Sequence, residues 1–168
     1  MSTWRRQAIE GLPEFRPLIE SAASPMALWI ELHLKFVAAV HADDASLTGR
    51  LLNYAAWCFS DRSGPLPNDT STAAACAFYE HLPTHKEFWP RLGARFSPDE
   101  FANLLPVFVY HLSAEELAAL KVAYAEGRPF STGGKRPSAF RRRGSGVWEA
   151  ACPLLAVSGH SARRTSRG

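Results

Sequence analysis

Apolar residues recur at helical spacing through most of the first 126 residues. After Ser24 and Pro25, an amphipathic stripe at three- and four-residue steps comprises Met26, Trp29, Ile30, His33, Phe36, Val37 and Val40. Serine is a favourable N-cap residue, and proline is favoured at the first helical position. The pattern therefore predicts a helix from about Pro25 to His41.

A second long helix is predicted after Asp43 and Asp44, which can cap it. Its apolar arc is wide and comprises Leu47, Leu51, Leu52, Tyr54, Ala55, Ala56, Cys58 and Phe59. An arc of this width is typical of a helix at the centre of a bundle. The Gly- and Pro-rich stretch 61–68 then predicts a loop, and Pro83 limits the next helix at Leu82.

Three later segments carry the sequence of a capping box, in which a cap hydroxyl and a carboxylate three residues on each accept a backbone N–H. The three pairs are Thr84 with Glu87, Ser97 with Glu100, and Ser113 with Glu116. They predict three short helices. The last should end at Gly127, in the left-handed conformation common for glycine after a helix.

No stretch alternates convincingly between apolar and polar residues, and the one strand-like run is Val107–Tyr110. We predict a single all-α domain, a compact bundle of five to seven helices over residues 12–126. Residues 1–11 are expected to be an N-terminal extension. Trp29 and Trp57 should be largely buried, because both lie within the apolar stripes.

Charge divides the chain near Gly127. Residues 1–126 hold 10 Lys and Arg against 15 Asp and Glu, whereas residues 127–168 hold 9 Lys and Arg against a single acid, Glu149. Gly, Ser and Arg dominate this second part, and such a composition buries too little apolar surface to offset chain entropy. We predict a disordered basic tail over 127–168, with a short apolar island at 147–157.

The tail contains candidate contacts for an anionic partner at Arg141, Arg142 and Arg143. Arginines bind phosphates, and the interleaved Phe130 and Phe140 could stack on unpaired bases. No folded nucleic-acid module is recognisable, so nucleic acid is expected through the tail only. A solvated extension without a role of its own, or a segment that folds back on the acidic domain, remain alternatives.

The number of cysteines and the length of the apolar runs indicate the cellular compartment in which the protein is expected. Three cysteines, an odd number, with no apolar leader segment favour a reducing compartment, so we expect a cytoplasmic protein. No run approaches 18 apolar residues, and no membrane contact is expected. Cys58 and Cys76 lie inside helical patterns and are expected to be small buried hydrophobes.

Glu80, His81, His85 and Glu87 form the one local cluster of metal-binding residue types. Pro83 separates the two histidines, which are expected on different elements that point in different directions. We therefore predict no metal ion and no cofactor here, and a capped turn with solvated polar groups instead. For His33, a hydrogen-bonded core position is favoured over a catalytic base.

Three segments resemble an uncharacterised family of small all-helical bacterial proteins, a domain of unknown function, over about residues 12–126. They read LWIELHLKF at 28–36, YAAWC at 54–58 and CAFYEHLP at 76–83. The resemblance implies a bacterial, cytosolic helical domain and supplies no site residues.

Signatures of catalysis are lacking in the sequence. It has no Gly-x-Ser-x-Gly elbow, and the Gly133–Lys135 run is followed by Arg136 where a phosphate-binding loop needs a hydroxyl. An enzyme is not favoured, and no catalytic residue is predicted. The leading hypothesis is a non-enzymatic protein-interaction module whose partner is another protein. The alternatives are a small enzyme or ligand-binding protein that uses the Glu80–His85 region, and nucleic-acid association through the tail.

Overall fold

The computed structural model describes residues 1–60 and 67–127, and within these residues the chain is all-α. The predicted all-α fold class is therefore confirmed, although the described residues form eight α-helices rather than the five to seven that were predicted. The described helices, in chain order, are α1 (Thr3–Gly11), α2 (Arg16–Ser21), α3 (Pro25–His41), α4 (Ala45–Cys58), α5 (Pro67–Ala74), α6 (Trp89–Arg95), α7 (Pro98–Phe108) and α8 (Ala114–Glu126). The predicted tail and its apolar island lie outside the described residues.

Helix α3 has the predicted bounds and lies at the centre of the fold, where it packs against α4 and α5. The Ala27 N–H donates to the Ser24 hydroxyl at 3.1 Å, as expected of an N-cap. Leu28, Leu32 and Phe36 on its inner face are fully buried. The predicted stripe is correct at Trp29 and Phe36 but wrong at Ile30, which is 54% exposed. Burial of the inner face is the main stabilisation that the helix contributes, at about 25 cal/mol per Å² of apolar surface.

Aromatic rings fill the core around Trp29, which is 0% exposed. Its ring stacks on Tyr54 at a centroid distance of 5.2 Å and contacts Phe78 at 4.9 Å. The prediction for Trp29 is therefore confirmed. Trp57 differs, since it is only partly buried and stacks on the far side of Tyr54 at 6.0 Å.

The N-terminal residues belong to the domain, in contrast to the predicted boundary at residue 12. Helix α1 packs against α4 and buries Ala8 and Ile9. The Tyr54 hydroxyl donates to the Trp4 carbonyl at 3.3 Å. The sequence gives only a weak signal for α1, because the helix is nine residues long. Ser2 at its N-cap position also makes no side-chain hydrogen bond.

Two of the three predicted capping boxes are confirmed, at the start of α7 and at the start of α8. The third, Thr84 with Glu87, is wrong. The Thr84 hydroxyl donates instead to the His81 carbonyl at 2.7 Å, inside a 3₁₀ turn over Leu82–Thr84. No α-helix begins at this threonine, and Glu87 lies beside two histidines.

The strand-like run at 107–110 is helical at its start, because α7 continues through Pro106 and ends at Phe108. Val107 and Phe108 are buried in the core. No helix of the described residues is long and apolar enough to cross a membrane.

Gly127 follows α8 with a φ of −75°, so the predicted left-handed conformation is wrong. The glycine is needed for a different reason, namely a close approach to α6. A Cβ atom at this position would lie 2.2 Å from the Pro90 carbonyl oxygen. Contacts under 3.0 Å between these atoms essentially never occur, so any side chain here forces the backbone to move.

Replacing Gly127 by Ala should lower the free energy of unfolding by about 1–3 kcal/mol, the usual cost of overpacking. Gly11 provides the matched control, because a Cβ atom there meets nothing within 4 Å. Gly11→Ala should leave stability unchanged or raise it by up to about 1 kcal/mol. Urea denaturation of both variants checks this, and equal effects would show that the α6–α8 contact does not require glycine.

Candidate functional site

Four of the five histidines of the described residues lie side by side between Glu80 and Glu87, and the fifth, His41, lies on the other side of Glu87. In spatial order the members are Glu80, His111, His81, His33, His85, Glu87 and His41, and we call them the histidine row. They come from α3, from the turns between α5 and α6, and from the loop after α7. The row is thus assembled by tertiary packing from distant parts of the chain.

His81 and His85 flank the Leu82–Thr84 turn, and both rings lie next to His33. The ring centroids are 5.7 Å apart for His33 and His81, and 5.1 Å apart for His33 and His85. The divergence expected from Pro83 is therefore not observed. Proline opens a single 3₁₀ turn here, and residues 81 and 85 leave its two ends toward the same neighbour.

A π-helical segment, Ala75–Tyr79, leads into this turn. The Glu80 N–H donates to the Ala75 carbonyl at 2.9 Å, an i to i−5 bond that widens the helix by one residue. Phe78, within the segment, lies edge-on to His33 at 6.3 Å. Such π segments are rare in proteins, and those that are observed often lie at functional sites.

The closest polar contact in the row joins His33 Nε2 and His85 Nε2, which are 3.2 Å apart. One of these nitrogens must carry the proton. His33 Nδ1 is buried and has no hydrogen-bond partner among the described residues, so a proton there would be an unsatisfied donor. We assign the proton to His33 Nε2, which donates to His85 Nε2. The other nitrogen of His85 then carries its proton toward Glu87, at 3.7 Å.

Burial favours the uncharged form of His33 and of His85 by lowering the pKa of each imidazole. It lowers the pKa of His33 to about 4, with further contributions from the charges that His85 and His81 would carry. Burial is also the largest cause of the lowered pKa of His85, and Glu87 opposes it only in part. At neutral pH His33 is therefore a neutral imidazole, and His85 is shifted in the same direction.

The outer members contact the two carboxylates. His111 stacks on His81 at 4.9 Å, and its Nε2 lies 3.2 Å from Glu80. His41 Nε2 lies 3.6 Å from Glu87. Glu80 therefore lies within ion-pair distance of His111, and Glu87 lies within ion-pair distance of both His41 and His85.

The structure brings the sequence-predicted Glu80, His81 and His85 into one row, but Glu80 contacts His111 rather than either of the other two. Sequence reasoning missed the parts played by His33, His111 and His41. No local signal links His33 to His85, because 52 residues separate them. The predicted anionic-partner contacts Arg141, Arg142 and Arg143 lie outside the described residues.

Among the residues that the structure describes, no group of three or more His, Cys, Asp or Glu side chains is arranged so that it could hold a metal ion. The His33–His85 pair comes nearest, with 3.2 Å between its Nε2 atoms. Two imidazole nitrogens bound to one tetrahedral zinc ion at about 2.0–2.1 Å stand about 3.3 Å apart. The spacing of the pair is that of an N–H···N hydrogen bond and is also close to that of two zinc ligands.

Cys58 is a poor candidate for a reactive thiol. Cys58 is buried, and burial raises the pKa of its thiol to about 12, so the reactive thiolate is scarce. This confirms Cys58 as a small core residue, whereas Cys76 is partly exposed.

No family model matches this chain, and neither a curated protein nor a solved structure matches it. The resemblance to a family of bacterial helical proteins stays a prediction. The histidine row is therefore the feature of the described residues that bears on function.

Proposed function

We propose that this domain is a binding protein for a first-row transition-metal ion such as zinc, held at the histidine row. His33 Nε2 and His85 Nε2 supply the first two ligand atoms, and His81 supplies the third. The observation that carries this proposal is the 3.2 Å separation between the two Nε2 atoms of neighbouring, partly buried imidazoles. It replaces the sequence-based prediction that no metal ion binds here, and it develops the ligand-binding alternative of the sequence analysis.

The charge state of the row favours a cation over an anion. An anion would need protonated imidazoles, and burial disfavours that form of both His33 and His85. Neutral imidazoles present lone pairs, which suit zinc, copper and nickel ions. Glu80 and Glu87 at the two ends would offset the positive charge of the ion.

His81 has to turn to complete the site. Its ring centroid is 5.7 Å from that of His33, close to the roughly 5 Å that separates imidazole rings on one tetrahedral ion. Rotation about its side-chain bonds, with release of the stacked His111, would aim a nitrogen at the ion. Three protein ligands leave a fourth position for water, which is the arrangement of an open site.

Binding also has a cost at His33. The ion must take the Nε2 position, so the proton moves to the buried Nδ1, which has no acceptor among the described residues. An unsatisfied buried donor costs about 1–3 kcal/mol. We therefore expect a dissociation constant for zinc on the order of micromolar, weaker than in structural zinc sites.

Titration calorimetry of the metal-free full chain with zinc at pH 7 tests the proposal. We expect one equivalent to bind, and His33→Gln or His85→Gln to weaken binding by at least about tenfold, since each removes one of few ligands. His41→Gln is the control, because this exposed histidine contacts Glu87 and not the ion. Equal affinity in all four proteins would refute the site.

The finer expectations from sequence stand as proposals beside this one. A cytoplasmic location is supported by the odd cysteine count, which favours a reducing compartment. Another protein as partner, and nucleic acid at the Arg-rich tail, rest on composition and charge alone.

A further inference from the structure

Helix α3 carries a second apolar stripe on the side that faces away from the core. Ile30 and Leu34 lie one turn apart on it and are 54% and 58% exposed. Ala27 and Val37, partly buried, extend the same stripe, so that the four positions are spaced by three, four and three residues. Large aliphatic residues exposed to this degree on adjacent turns form a patch rather than isolated surface residues.

The spacing is that of a coiled-coil seam, in which apolar residues alternate at three- and four-residue steps along one helix face. The opposite face of α3 packs into the core of the domain, where Leu28, Leu32 and Phe36 are fully buried. A helix that is apolar on both faces is typical of a buried position. The outer stripe therefore has the form of a surface that packs against another helix.

We propose that the outer stripe of α3 packs against the same stripe of a second copy of this chain, with the two helices antiparallel about a two-fold axis. Such a contact is self-complementary, since each protomer contributes the same surface. Leu34 and Ile30 of one protomer would pack against those of its partner. The charged residues beside the stripe favour a second copy of this chain as the partner.

Glu31 and Lys35 are exposed and lie on the same flank of the stripe, one helical turn apart. Neither forms a salt bridge with another described residue. In an antiparallel pair related by a two-fold axis, the same flank of both helices comes together. Glu31 of each protomer then faces Lys35 of its partner, which gives two opposite-charge contacts. In a parallel pair of α3 helices, the flank with Glu31 and Lys35 would instead face the opposite flank of the partner helix, which carries His33.

Sedimentation velocity of the full chain, over a range from micromolar to millimolar and with EDTA present, tests the dimer. EDTA separates this test from zinc binding, so either proposal can fail alone. We expect dimerisation, and a dissociation constant at least tenfold higher for Leu34→Glu, because two like charges would meet at the seam. Val122→Glu is the matched control, since Val122 is 56% exposed on α8 and lies outside the stripe.

Charge reversal tests the antiparallel arrangement. Glu31→Lys and Lys35→Glu should each weaken the dimer, and the double variant should restore it because opposite charges face one another again. A monomer at every concentration would overturn the proposal, as would a dimer that Leu34→Glu leaves intact. Failure of the double variant to recover would overturn the antiparallel pairing.

Discussion

Replacing Trp29 by Ala should lower the free energy of unfolding by about 3–5 kcal/mol, a large part of the stability of a domain of this size. The side chain is 0% exposed and stacks between the rings of Tyr54 and Phe78. Its removal leaves a cavity that rigid aromatic neighbours fill poorly, since core side chains are closely packed. Urea denaturation followed by circular dichroism measures the change.

Trp57→Ala provides the comparison, because Trp57 also stacks on Tyr54 but is only partly buried. We expect a smaller loss for this variant, since less apolar surface is removed from water in the native protein. Equal losses for the two variants would contradict the placement of Trp29 at the centre of the core.

Acid should destabilise the metal-free protein as the pH falls from about 6.5 to about 4. The pKa of His33 is about 4 in the folded protein, compared with 6.5 for a solvated imidazole. Between these values the unfolded chain binds a proton that the folded protein does not, so stability is full above about 6.5 and is lost toward 4. The lowered pKa of His85 acts in the same direction.

Thermal unfolding at a series of pH values, with EDTA present, measures this dependence. Carboxylates also titrate at the acid end, so the difference between variants is the informative quantity. His33→Gln should flatten the decline in stability between pH 6.5 and pH 4 relative to the parent protein. A decline unchanged in His33→Gln would show that this histidine is equally protonated in the folded and unfolded states.

Local signals were enough to predict α3. Ser24 and Pro25 fix its start, and the stripe through Trp29 and Phe36 supplies the burial that holds it in place. The boxes at Ser97 and Ser113 were equally informative, because the reciprocal bonds of a capping box involve residues only three apart.

The histidine row could not be predicted, because it depends on which distant turns pack against α3. His81 and His85 are close in sequence, but the partner that aligns them is His33, about fifty residues earlier. Pro83 suggested divergence because proline usually ends a helix, and a short 3₁₀ turn between the two histidines has no distinct sequence signal. The capping box predicted at Thr84 is wrong for the same reason, because this threonine lies in the 3₁₀ turn and not at the start of an α-helix.

The end of α8 at Gly127 was predicted correctly, but the physical reason for a glycine there was not. The chain does end α8 at this residue, yet the glycine serves the approach of the Pro90 carbonyl rather than a left-handed turn. That contact joins two helices, so no pattern within α8 reveals it.

Long-range ¹H–¹⁵N spectra of the histidine side chains during a zinc titration test the proposed metal site, because they report the state of each ring nitrogen. We predict that, without metal, His33 carries its proton on Nε2. Added zinc should convert the Nε2 atoms of His33 and His85, and one nitrogen of His81, to the metal-bound state, while His41 keeps its spectrum. Zinc that shifts only His41, or shifts none of the five described histidines, would contradict the account.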